Sequence, residues 1–166
     1  MEIYIVRHAL AENADEKKDD KDRSLIDKGF KETKAIGKIL KKLDVKPDLL
    51  VSSPLTRAIQ TADIIASKLN YKKKINVAKE LLPESKPEDI LNLINSKIGS
   101  KVKSLIIVGH MPLLGEFISF LLGIKNFVFE IEKSGVYILE INFNEKKQLE
   151  AIFKGYITPS MARRLK

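Results

Sequence analysis

Cysteine is absent from this 166-residue chain, and histidine occurs only twice. Without cysteine there are no disulfides, no thiolate nucleophile and no cysteine-bound metal. Two histidines without an ordered carboxylate cluster also make a poor metal site, so no metal or other cofactor is expected. Long hydrophobic runs are missing as well. The longest apolar stretch, Leu113 to Leu122, contains Glu116 and Ser119 and falls short of the roughly 20 residues that span a membrane. The chain opens on a strand-like segment containing Glu2 rather than on a basic region and an apolar stretch. No secretory leader and no membrane association are therefore expected, and the location is taken as cytoplasmic. Arginine is scarce too: Arg7, Arg23, Arg57, Arg163 and Arg164 are the only five, although the net charge is +8. The lysines are scattered over helix faces and turns, with no basic stripe interleaved with aromatics, which argues against nucleic acid as a partner. The surplus positive charge suits a phosphorylated substrate instead.

What the chain does have is an alternation of apolar runs with helical patterns, predicting one α/β domain over 1–166. Residues 3 to 6 are too continuously apolar for a half-exposed strand and predict a buried one. Residues 12 to 24 form a charged loop beside that strand end, either a flap over a site or a solvated loop without a role. A helix is predicted from Asp27 to Leu43 with Ile36, Ile39, Leu40 and Leu43 as its buried stripe. A strand follows at 48–52, then a helix capped by Ser53 with Pro54 at its first position. A short strand at 75–77 leads to the acidic loop 79–85, and Ser85-Lys86-Pro87-Glu88 resembles a capping box opening a helix to Asn95. After a strand ending at Val108 comes an apolar helix to Leu122, then a hairpin of 135–142 and 149–153 around residues 144–147. The basic tail after Pro159 either packs or frays.

The chemistry gathers at three strand ends. His8 closes the run from Ile3, His110 closes the run from Leu105, and the run from Leu49 opens into the helix carrying Arg57. Ligands collect at the carboxyl ends of parallel strands. A lone histidine at a strand end is ordinarily a packed or capped side chain. Arg7 immediately before His8 makes little sense in a core and good sense against an anion. A neutral imidazole attacks phosphorus directly, and cations nearby keep it neutral. Its other ring nitrogen needs an acceptor, most simply a backbone carbonyl. Arg57, on the first turn of its helix, offers a planar fork to phosphate oxygens. Gly109 before His110 permits close backbone approach, and His110 can donate to a phosphoryl oxygen. Arg7, Arg57 and His110 as donors, with His8 as nucleophile, make up the equipment for phosphoryl transfer without a metal.

Ile5-Val6-Arg7-His8-Ala9, Ser52-Ser53-Pro54-Leu55-Thr56-Arg57-Ala58-Ile59-Gln60-Thr61-Ala62 and Val108-Gly109-His110-Met111-Pro112 together resemble the histidine phosphatase superfamily, of phosphoglycerate mutase-like fold. The resemblance covers essentially the whole chain. It implies a three-layer α/β/α sandwich around a mostly parallel sheet, a phosphorylated intermediate on His8, a clamp of Arg7, Arg57 and His110, and no metal. Only 52 residues lie between Arg57 and His110, too few for the long insertions of the mutases. The chain is most similar to the small SixA-type phosphohistidine phosphatases, also in Arg23-Ser24-Leu25-Ile26-Asp27-Lys28-Gly29 and in Glu80-Leu81-Leu82-Pro83.

Two departures stand out. The family's Arg-His-Gly triplet is Arg-His-Ala here, which costs something only if Ala9 has a positive φ. The mutases' asparagine six residues after the nucleophile is Ala14. The resemblance gives the general acid to Glu80, with Glu84 as the other candidate and Glu88 assigned to helix capping. The expected activity is hydrolysis of phosphohistidine in a partner protein. The alternatives are a phosphatase for phosphorylated small molecules and a catalytically idle phospho-binding module.

Overall fold

A computed structural model describes residues 1–14, 19–98, 101–143 and 149–165. Strand β1 (Glu2–Arg7) lies at the centre of a six-stranded sheet and is buried from Ile3 to Val6. Its alternating side chains serve two cores. Ile3 and Ile5 face one layer of helices, while Tyr4 and Val6 face the other, which explains a run with no polar interruption.

Helix α1 (Asp27–Lys42) follows a loop whose return is fixed by the Ile26 amide donating to the Leu10 carbonyl, 3.1 Å away. Ile36, Ile39 and Leu40 are buried as predicted. Leu43 is not: it is 57% exposed, because the helix stops at Lys42 and the chain turns through Asp44 at φ 56°. Strand β2 (Leu49–Ser52) leads to α2 (Thr56–Leu69). The predicted cap at Ser53 is displaced. The helix begins two residues beyond Pro54, and Leu55 occupies the capping position without a side-chain bond. The Ser53 hydroxyl has a different partner, described below.

Strand β3 (Asn76–Val77) ends in a 3₁₀ turn over Lys79–Leu81, and α3 (Pro87–Leu93) continues as a π-helical turn over Ile94–Ile98. Asp89, not Glu88, caps α3, its carboxylate accepting from the Lys86 amide at 2.8 Å. Asp89 occupies the third helical position, which reaches back to the capping residue as Glu88 does not. Strand β4 (Ser104–Gly109) and α4 (Leu113–Leu121) follow, then the antiparallel pair β5 (Val136–Phe143) and β6 (Leu149–Ile157). That pair is the predicted hairpin, with the first strand shifted by one residue and the second running on to Ile157; its turn at 144–147 lies outside the described residues. The tail packs as α5 (Pro159–Arg164), capped by the Thr158 hydroxyl and paired to α1 through Arg163 and Glu32 at 3.0 Å.

The strand order is β3-β2-β4-β1-β5-β6, with the first four parallel and β5 and β6 antiparallel. Helices α1, α2 and α5 cover one face and α3 and α4 the other, so the architecture is the predicted α/β/α sandwich. Among the described residues no helix is long and apolar enough to cross a membrane.

Gly29 holds the chain's return beside β1. A Cβ there would lie 2.2 Å from the Leu10 carbonyl oxygen, which is backbone and has no room to move. Gly29→Ala should therefore destabilise the protein by about 1–3 kcal/mol despite alanine's better helix propensity, as read from urea unfolding midpoints.

Candidate active site

Strand register brings the two histidines together. Arg7 pairs with Gly109 and Ser52 with Val108, so β1, β4 and β2 end on one level. The His8 amide donates to the Gly109 carbonyl at 3.0 Å, and the Ser53 amide to the Val108 carbonyl at 2.9 Å. His8 and His110 stand with ring centroids 4.9 Å apart. Helix α2 is tied to the same level: the Ala9 amide donates to the Thr61 hydroxyl at 3.0 Å, and that hydroxyl donates to the Arg57 carbonyl at 2.7 Å. Gly109 is as confined as its type suggests. A Cβ there would lie 3.2 Å from Leu114 and 3.4 Å from the Leu81 carbonyl oxygen.

Hydrogen bonding orients both rings. His8 Nδ1 lies 2.8 Å from the Ala9 carbonyl oxygen, which only accepts, so Nδ1 carries the proton and Nε2 the lone pair. Ala9 is not among the residues at positive φ, and alanine in the glycine position costs nothing there. His8 Nε2 meets Lys133 Nζ at 3.3 Å. Burial lowers the His8 pKa to about 2, with Lys133, His110 and then Arg57 adding to the effect against the Ala9 bond. Burial thus outweighs the charges, and Lys133 precedes Arg57, which with Arg7 is the source the sequence suggests for the effect.

His110 Nε2 lies 2.8 Å from the Ser53 hydroxyl. That oxygen also accepts from the Leu55 amide at 3.4 Å, and with a second lone pair and its own proton it pairs with Nε2 in either tautomer. His110 Nδ1 is buried without a partner. Its pKa falls to about 3, through burial first and then Arg57 and Lys133.

The arginines are held by their outer nitrogens. Arg7 Nη1 donates to the Ile131 carbonyl at 2.6 Å. Arg57, only 4% exposed, donates from Nη1 to the Asp20 carbonyl at 2.7 Å and from Nη2 to the Asp20 carboxylate at 2.9 Å. Arg23 reaches the other oxygen of that carboxylate at 2.6 Å and the Glu12 carbonyl at 2.9 Å. Among the described residues four buried side-chain nitrogens have no hydrogen-bond partner: Arg7 Nε, Arg23 Nε, Arg57 Nε and His110 Nδ1. Each such donor costs about 1–3 kcal/mol when left dry. A set of orphaned arginine donors around a neutral imidazole can receive a tetrahedral anion.

The structure thus brings His8, Arg7, Arg57 and His110 to one level. Glu80 sits on the 3₁₀ turn whose next residue, Leu81, approaches Gly109 at the end of β4. Glu84 is exposed. Three further residues complete the site. Asp20 and Arg23 come from the charged loop, which is not an idle solvated segment at this end: a 3₁₀ turn over Asp20–Asp22 carries the aspartate to Arg57. The signal was present in the i, i+3 spacing of Asp20 and Arg23, one of so few arginines. Lys133 had no comparable signal. No group of three or more metal-ligating side chains occurs among the described residues.

Residues 3–82 match the histidine phosphatase superfamily (branch 1). The chain is 30% identical over 133 residues to the phosphohistidine phosphatase SixA homolog of Haemophilus influenzae, covering 76% of this chain and 80% of that protein. It is 27% identical over 119 residues to phosphohistidine phosphatase SixA of Escherichia coli, covering 72% and 73%. A protein histidine phosphatase SixA complexed with tungstate superposes over 100% of both chains with a TM-score of 0.85 at 23% identity. The chain belongs to the histidine phosphatase superfamily. Within it the chain is SixA-like, and it is a phosphatase.

The buried neutral histidines link stability to pH. Unfolded histidines take up protons as pH falls through 6.5, while His8 and His110 in the folded protein resist until about 2 and 3. Stability should therefore fall on acidification below 6.5, by about 1.4 kcal/mol per pH unit for each histidine. Urea midpoints at pH 7 and pH 5 check this: the difference should shrink in a His8→Asn/His110→Asn variant.

Proposed function

We propose that the protein hydrolyses phosphohistidine in partner proteins, without a metal, through a covalent phosphohistidine on His8. The observation that carries this reading is the state of His8, whose Nδ1 is locked on the Ala9 carbonyl and whose Nε2 is unprotonated at any working pH. In the first step the Nε2 lone pair attacks phosphorus. The bond from phosphorus to the leaving nitrogen breaks, and that nitrogen keeps the electron pair and gains a proton from Glu80. In the second step water attacks phosphorus, gives a proton to the Glu80 carboxylate, and the P–Nε2 electron pair returns to the ring. Arg7, Arg57 and His110 donate to the equatorial oxygens and supply the positive charge that a metal would otherwise bring.

A protein substrate is supported by the short β3-to-β4 connection, in which α3 and its π-helical turn add no large insertion over the strand ends. The relatives named above as phosphohistidine phosphatases favour the same substrate class. The reading takes residues 1–166 as one domain and includes a cytoplasmic setting, in keeping with a cysteine-free chain. One observation favours small phosphomonoesters instead: His8 is only 5% exposed, and a slender metabolite reaches such an atom easily.

A rate comparison between a phosphohistidine protein and a panel of metabolite phosphates separates the two. The phosphoprotein should show the higher kcat/KM; preference for a metabolite would transfer the assignment. His8→Ala should abolish turnover and the acid-labile phosphoenzyme, and Arg57→Ala should cost about two decades or more in rate. Chelators should leave the rate unchanged. For Glu80→Gln the loss should be larger on alkyl phosphates than on phosphohistidine, whose leaving nitrogen protonates readily.

A further inference from the structure

Lys133 enters the site from the segment before β5, and nothing in the chemistry above requires it. Its Nζ lies 3.3 Å from His8 Nε2, the atom that must be free to attack phosphorus. While the ammonium donates to that lone pair, attack is blocked. We propose that Lys133 is a phosphoryl-binding residue: its ammonium rests on His8 Nε2 in the free protein and moves onto an oxygen of the phosphoryl group as the substrate arrives. The proposal builds on His8 as the attacking group and adds a fourth donor, the only flexible one, to the rigid clamp.

The backbone beneath Lys133 is fixed. The Gly135 amide closes a turn on the Glu132 carbonyl at 2.7 Å, with Ser134 in the left-handed region at φ 64°. The Ser134 amide donates to the Arg7 carbonyl at 3.2 Å, and its hydroxyl lies 3.1 Å from that of Thr33. The Glu132 amide donates to the Tyr156 hydroxyl at 2.8 Å. A non-glycine residue held at positive φ costs about 1–2 kcal/mol, so the turn is over-determined by its contacts. Lys133 is thus delivered to one place on a stiff base, while its four-carbon stem retains the freedom to swing.

Electrostatics gives the swing a direction. Lys133 is half-buried, with Arg7 acting on it most strongly among the charges, then Arg57 and Arg23. Arg7 and His8 act on it from the end of β1, Arg57 from α2, Arg23 from the residue after the 3₁₀ turn, and His110 from the residue after β4. Burial and the three guanidinium groups lower its pKa to about 8. An ammonium crowded by cations gains most when a dianion enters among them, and a phosphoryl oxygen is a far stronger acceptor than a neutral imidazole nitrogen. Moving from one to the other frees the nucleophile at the moment the phosphorus is in place.

Tungstate, a tetrahedral dianion that needs no turnover, tests this by calorimetry on the full chain. Lys133→Met should weaken tungstate binding about tenfold to a hundredfold, and Lys133→Arg should restore most of it. Affinity in the wild type should fall as pH rises through about 8, where the ammonium is lost. That limb should be missing in Lys133→Met. Binding by Lys133→Met within twofold of wild type, or a limb near pH 8 that survives the substitution, would overturn the proposal, as would a wild-type affinity constant from pH 7 to 9. The last measurement needs no variant to fold. Since tungstate binding does not depend on hydrolysis, an absence of phosphatase turnover would count against the covalent mechanism and leave this result standing.

Discussion

Two parallel strands that end on the same level set the geometry of everything else. Because Arg7 pairs with Gly109, the next residue on each strand is a histidine, and the His8 amide is bonded to the Gly109 carbonyl between them. A shift of one residue between β1 and β4 would turn one ring to the opposite face. The register is held by the apolar cores on both faces, where Ile3, Ile5, Ile107, Val6 and Val108 each have a defined side. The geometry of the site is therefore a by-product of packing, fixed by residues of the two apolar cores.

The site is stable only because the surrounding fold outweighs it. Two imidazoles are kept neutral in a buried place, three arginines hold back one donor each, and Lys133 is pressed among them. None of these arrangements helps the protein fold. Each leaves a place that an anion can fill, and folding sets that electrostatic arrangement in advance. The second coordination layer is economical. Ala9 sets the His8 tautomer, Ser53 holds the His110 ring, and Thr61 joins β1 to α2 with a single hydroxyl.

Much of this was legible in the sequence because strand ends punctuate it. The unbroken runs ending at His8 and His110 predicted buried central strands, and both are there. Arg57 was legible because the stretch from Ser52 to Ala62 is distinctive. The helix start was not: local capping chemistry favours Ser53, but its hydroxyl orients His110, a partner 57 positions away. Leu43 fits the helical period and still lies outside, since the helix ends one residue before it. Lys133 was invisible for a different reason. It is one lysine among many, and only the turn beneath it, formed by bonds to Arg7, Thr33 and Tyr156, distinguishes it from a solvated side chain. Partners that distant in sequence leave no local pattern.

Asp20 connects the interior of the site to its surroundings. Its carboxylate is 57% exposed, whereas the Arg57 side chain it grips is only 4% exposed. The direction in which a buried guanidinium points is thus set by a charge standing in water, where ions screen it over a distance of about 8–10 Å. Ionic strength consequently reaches a group that solvent does not touch, and the medium tunes how firmly the clamp is aimed.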